Sequence, residues 1–129
     1  MGVGIEGEKS VVEWFGKWPS FHDAEIIELH LNRKGLSRIK IHTWNMTDKV
    51  DEKNHYIAEK HAVIEFSLVN VIDMDLLHFN EQNVIFSLNL EKSELGYKLN
   101  LEPCYGLCGF LEAKDIKVKI MPGKPNEHR

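Results

Sequence analysis

The residues best suited to chemistry sit together early in the chain, in Trp18-Pro19-Ser20-Phe21-His22-Asp23-Ala24-Glu25. A histidine with two nearby carboxylates is the raw material of a metal site or of a general acid–base pair. The spacing argues against both. A strand that starts at Asp23 puts Asp23 and Glu25 on one face and His22 on the other, whereas a metal wants three or four converging ligands. A structural role fits better. Asp23 can accept backbone N–H bonds where the strand begins. His22 can fix the loop through both ring nitrogens, and Trp18 and Phe21 can anchor it in a core. A binding surface is the second reading and catalysis the third.

Other candidates are weaker. His30 and His42 fall on the polar faces of one expected hairpin, and His55 and His61 flank the start of another strand. That is the pattern of surface histidines. Cys104 and Cys108 have three residues between them. Zinc would need a second ligand pair nearby, and a disulfide scaffold would need more cysteines in a smaller secreted chain. Two buried free thiols are expected instead. Phe79-Asn80-Glu81-Gln82-Asn83 sets three amides before a strand, where they can close a loop or read a partner's backbone. No G-x-S-x-G elbow, P-loop or G-x-G-x-x-G occurs. The residues therefore point to no enzyme, no metal and no cofactor.

Positioning these groups takes mostly strands. Residues 9–16 predict a two-turn helix, with Ser10 and Glu13 as a capping box, Val11, Val12, Trp14 and Phe15 as its apolar face, and Gly16 and Pro19 ending it. The period then changes to two. Ile27, Leu29 and Leu31 alternate with polar residues over 25–32, and Ile39, Ile41 and Thr43 follow after a Gly35 turn, which reads as an antiparallel hairpin. Residues 45–54 are polar and predict a long loop or an extended hairpin tip. Ala62, Ile64, Phe66 and Leu68 mark the next strand, continued by Val69, Val71 and Ile72. Residues 73–79 have no clean period and suit a helical turn. Val84, Phe86, Leu88 and Leu90 should face inward on a further strand, then Tyr97, Leu99 and Leu101, and finally Ile116, Val118 and Ile120. About six strands with one wet face each imply an α+β fold: a predominantly antiparallel sheet, curled or two-layered, with a short N-terminal helix. One domain spans 1–129, with 1–8 and 122–129 expected to be loose. An open sheet edge would make a homodimer possible.

Composition excludes several partners. With 43% hydrophobic residues the chain can fill a core unaided. No apolar run approaches the about 18 to 20 residues that cross a bilayer. The N-terminus has no basic n-region or apolar h-region, and Glu6 stands where a myristoylation signal wants Ser or Thr. A cytoplasmic protein without membrane contact is expected. The net charge of −4 is uneven: residues 1–32 hold six acids and two lysines, and the rest hold fourteen acids and fourteen bases. No basic stripe suits nucleic acid. The acidic quarter is a solvated face or a surface for a basic partner.

Trp18-Pro19-Ser20-Phe21-His22-Asp23-Ala24-Glu25 resembles the signature of bacterial immunity proteins of the Imm50 type. Phe79-Asn80-Glu81-Gln82-Asn83-Val84-Ile85 resembles that family's middle block. Glu102-Pro103 with Tyr105-Gly106 resembles its C-terminal one. The resemblance spans roughly residues 14–118. It implies a cytoplasmic antitoxin that binds a cognate protein toxin and occludes its active site or its substrate path, and that is not an enzyme. It gives Trp18, Pro19, Phe21, His22, Asp23, Glu25, Asn80, Gln82, Asn83, Tyr105 and Gly106 a structural or binding role, with loops such as 45–54 as the other candidate contacts. Two rivals stand beside it. One is a small-ligand module with a pocket near Phe21, His22 and Tyr105. The other is a metal-assisted hydrolase using His22 and Asp23.

Overall fold

Alternating apolar residues produce six strands, and their order closes them into a barrel. The structure, a computed structural model, describes residues 4–125 apart from the side chains at 46–48 and 56–57. Helix α1 (Glu8–Phe15) is followed by β1 (Glu25–His30), β2 (Leu36–Val50), β3 (Tyr56–Leu77), β4 (Asn83–Lys92), β5 (Tyr97–Tyr105) and β6 (Cys108–Pro122). Every strand pair is antiparallel, in the order β1-β2-β3-β6-β5-β4, and β1 returns to β4 through Glu25↔Val84 and Ile26↔Asn83. The antiparallel α+β architecture expected from the sequence is thus the one that forms. The open edge proposed for a homodimer is not, because closure leaves no strand at an edge of the sheet order.

Inward side chains fill the barrel, as in other small barrels. Ile39, Ile41, Ile64, Phe66, Leu68, Leu99, Leu111 and Ile116 are all inaccessible to solvent. Val11 and Phe15 of α1 join the same cluster. Rings of Trp18, Phe21 and Phe66 meet with centroids 5.8 to 6.3 Å apart.

Several local expectations are corrected. Ser10 does not cap α1. The helix begins one turn residue earlier, with Gly7 at the N-cap in the left-handed region (φ 92°). A Cβ at Gly7 would collide with the Val118 carbonyl, so glycine lets the chain pass close under β6. Residues 4–8 are not loose: Ile5 is buried and the Val118 N–H donates to the Glu6 carbonyl at 2.8 Å. At the other end, Pro122 still belongs to β6 and the Gly123 N–H donates to the His61 carbonyl at 2.7 Å. Residues 1–3 and 126–129 lie outside the described residues.

Two strands carry a different phase from the expected one. A bulge between Ile26 and Glu28 turns Ile26 inward and Ile27 out. Irregular pairing around Ile85 likewise buries Ile85 and exposes Phe86. Residues 73–77 continue β3 rather than forming a helical turn, paired to β6 from Asp73↔Glu112 to Leu77↔Cys108. Residues 45–54 form the extended hairpin tip, closed by the Asp51 N–H donating to the His55 carbonyl at 2.9 Å.

Candidate functional site

The three sequence blocks that carried the resemblance meet where β1 closes onto β4. The chain enters β1 through a tight turn, with the Ala24 N–H donating to the Phe21 carbonyl at 3.1 Å. The turn is stitched to β4 by Asp23 N–H to Ile85 O at 2.8 Å and Ile85 N–H to Ala24 O at 2.9 Å. Phe21 (φ 61°) and Asp23 (φ 67°) both adopt the left-handed region. Asp tolerates it, but a bulky Phe there is strained by about 1–3 kcal/mol and must be held by its surroundings. Burial of the Phe21 ring against Trp18 and Phe66 supplies that hold.

This turn overturns the expectation that His22 and Asp23 point apart. The strand starts at Glu25, not Asp23. His22 Nδ1 lies 3.3 Å from Asp23 Oδ2, and Ser20 Oγ accepts the His22 N–H at 3.2 Å. Cys104 comes from β5 to the same spot, its sulfur 3.9 Å from Asp23 Oδ1 and 3.6 Å from the Ile85 carbonyl. The expected burial of the cysteines fails accordingly: Cys104 is exposed and Cys108 half-buried. A nitrogen of His22, an oxygen of Asp23 and the Cys104 sulfur lie within 4.8 Å of one another.

The amide block locks the seam from below. Asn83 is buried, with its Oδ1 accepting the Asn80 N–H at 3.1 Å and the Leu107 N–H at 3.0 Å, while Nδ2 donates to the Asn80 carbonyl at 2.6 Å. Asn80 Oδ1 accepts the Gln82 N–H at 2.8 Å, and Gln82 itself is exposed. Gly106 (φ 89°) packs against this network. A Cβ there would stand 2.6 Å from Asn83 Oδ1 and 2.8 Å from the Gln82 carbonyl. Pro19 is buried beneath the turn.

A second polar cluster was missed in the sequence. His42 is buried, with Nδ1 3.2 Å from Glu25 Oε1 and Nε2 2.9 Å from His61 Nδ1. The carboxylate oxygen accepts, so in the neutral ring His42 donates from Nδ1 and its Nε2 accepts a hydrogen bond from the His61 Nδ1–H. The His42 ring stacks on His61 at 5.2 Å and packs on Trp44 at 4.9 Å. Alternation alone placed His42 on a wet face. The signal lay in the register, Glu25↔His42, which the bulge in β1 hides from simple counting.

The outer surface of the seam is apolar at its centre. Ile27, Phe79, Phe86 and Tyr105 are 42%, 54%, 52% and 57% exposed. Glu25, Ile27 and Phe79 line one shallow depression, Tyr105 pairs with Val84, and the His22 ring stands edge-on to Phe86 at 5.3 Å. Asp23, Glu25, Glu81 and Glu102 are exposed around them. On the other side of His22 opens a cleft of about 650 Å3 with a mostly polar lining that includes Lys17, Asp23, Trp44 and Glu59. Phe21 and His22, two of the three residues expected beside a pocket, line this cleft, and Tyr105 is not among its lining residues.

The family model of immunity protein 50 matches residues 7–121. The chain belongs to the Imm50 family. No curated protein and no solved structure matches it significantly. All three blocks of the Imm50 resemblance lie inside the matched span, and all three converge on the seam. No helix among the described residues is long and apolar enough to cross a membrane.

Proposed function

We propose that this Imm50 chain is a cytoplasmic antitoxin that binds a cognate toxin domain and occludes it, and that the contact face is the outer surface of the β1–β4 seam. Membership of an immunity-protein family supports a toxin partner. The observation that carries the choice of face is the exposure of Ile27, Phe79, Phe86 and Tyr105 on the segments that build the seam, together with exposed Asp23, Glu25, Glu81 and Glu102 on the same segments. Apolar and aromatic centres with charged rims are the anatomy of protein contacts. The acidic rim suits a basic toxin surface, and the net charge of −4 favours fast encounter with one. The motif residues then have a double role: Trp18, Pro19, Phe21, Asn80, Asn83 and Gly106 hold the seam, while His22, Asp23, Glu25, Gln82 and Tyr105 face the partner.

The role is binding, not catalysis. A hydrolase built on His22 and Asp23 would want the pair desolvated, yet their side chains are 52% and 63% exposed. Co-expression with a toxin domain captured as its partner from the native host tests the proposal. The wild-type chain should rescue growth, and a chain carrying Ile27→Lys with Phe79→Lys should fold but fail to rescue. Equal rescue by both chains would refute the assigned face.

A further inference from the structure

We propose that His22, Asp23 and Cys104 form a binding site for a borderline divalent transition ion, with Zn2+ the natural occupant. The three residues come from the turn before β1 and from β5, far apart in sequence. They bring one nitrogen, one oxygen and one sulfur within 4.8 Å of one another. This is independent of the antitoxin reading.

The spacing fits a tetrahedral ion. With Zn–N, Zn–O and Zn–S bonds of about 2.0, 2.1 and 2.3 Å, tetrahedral angles put nitrogen and oxygen ligands about 3.4 Å apart and sulfur and oxygen about 3.6 Å apart. His22 Nδ1 and Asp23 Oδ2 are 3.3 Å apart, and Cys104 Sγ and Asp23 Oδ1 are 3.9 Å apart. The carboxylate already lies between the thiol and the imidazole, with one oxygen toward each. Side-chain rotation must bring ligand atoms that lie within 4.8 Å of one another to the ~3.4–3.6 Å separations of a tetrahedral ion. The donor types choose the metal. Thiolate and imidazole suit zinc, whereas Mg2+ and Ca2+ want oxygen alone. Three protein ligands leave a tetrahedral ion one further position, open to water or to a donor from a bound partner. Backbone geometry explains how adjacent residues can both ligate. The left-handed φ of Asp23 swings its side chain to the His22 side, which an extended strand would not allow.

Titration of the reduced full chain with Co2+ tests the site. A near-ultraviolet thiolate-to-cobalt charge-transfer band at one equivalent is expected, together with the intense visible bands of tetrahedral cobalt. Cys104→Ser should abolish the charge-transfer band and Cys108→Ser should leave it intact. His22→Gln and Asp23→Asn should each weaken binding at least about tenfold, since losing even an outer-shell partner costs about 10- to 100-fold. Thermal melts without metal verify that the variants are folded. A wild-type chain with no charge-transfer band would overturn the proposal. So would a band that survives Cys104→Ser, or an affinity unmoved by the His22 and Asp23 changes.

Discussion

Replacing Asn83 by alanine should open the barrel at its closing seam. The side chain is 4% exposed and makes three hydrogen bonds, at 3.1, 3.0 and 2.6 Å, to Asn80 N–H, Leu107 N–H and Asn80 carbonyl. Net, each such bond contributes about 1 kcal/mol. The Asn80 groups can recover water on removal, but the Leu107 N–H is buried and cannot, which costs a further about 1–3 kcal/mol. A loss of about 4–6 kcal/mol is expected, a large share of the roughly 5–15 kcal/mol that holds a typical domain together. Urea unfolding followed by tryptophan fluorescence measures it. With an m-value of about 2 kcal/mol/M the midpoint should fall by about 2–3 M, with the slope unchanged. A fall below about 0.3 M would refute the reasoning, because it would mean that Asn83 does not carry the seam.

Three further substitutions probe neighbouring parts of the account. Gly106→Ala should cost about 2 kcal/mol or more, from its φ of 89° and a Cβ only 2.6 Å from Asn83 Oδ1. Combined with Asn83→Ala it should cost somewhat less than the two separately, because the Asn83 Oδ1 contact is gone while the Gln82 carbonyl at 2.8 Å remains, and a double-mutant cycle in urea reads this coupling. Phe66→Ala, at the inaccessible centre of the Trp18–Phe21–Phe66 group, should lose about 3–5 kcal/mol by thermal or urea unfolding. Ser10→Ala should change stability by less than about 0.5 kcal/mol, since Gly7 occupies the N-cap. A capping Ser10 would instead show a loss of about 1 kcal/mol.

Much of the sheet was legible because alternation survives wherever pairing is regular. Ala62, Ile64, Phe66 and Leu68 read as a buried face and are one. Alternation misled wherever a bulge inserts a residue. Ile27 and Phe86 look like core by counting, but irregular pairing at Ile26/Glu28 and around Ile85 turns both outward. The apolar centre of the proposed contact face is therefore built partly from these bulges, and periodicity could not reveal it. The same limit hid the site chemistry. His22 and Asp23 converge only because Asp23 leaves the extended region, and Cys104 joins them across 81 residues of chain. Residues 4–8 were misjudged for another reason. Gly4 and Gly7 suggest slackness in sequence, whereas Gly7 is there so that the chain can pack beneath Val118.

The affinity of the purified chain for a toxin domain proposed as its partner, measured by calorimetry, tests the central claim most directly. One-to-one binding is expected. Placing Ile27→Lys and Phe79→Lys at the seam should weaken it at least about 30-fold, the cost of losing about 2 kcal/mol at a contact centre. The absence of binding by the wild-type chain at micromolar concentration would contradict neutralisation by occlusion. Equal affinity for wild-type and doubly substituted chains would contradict the seam as the face that does it.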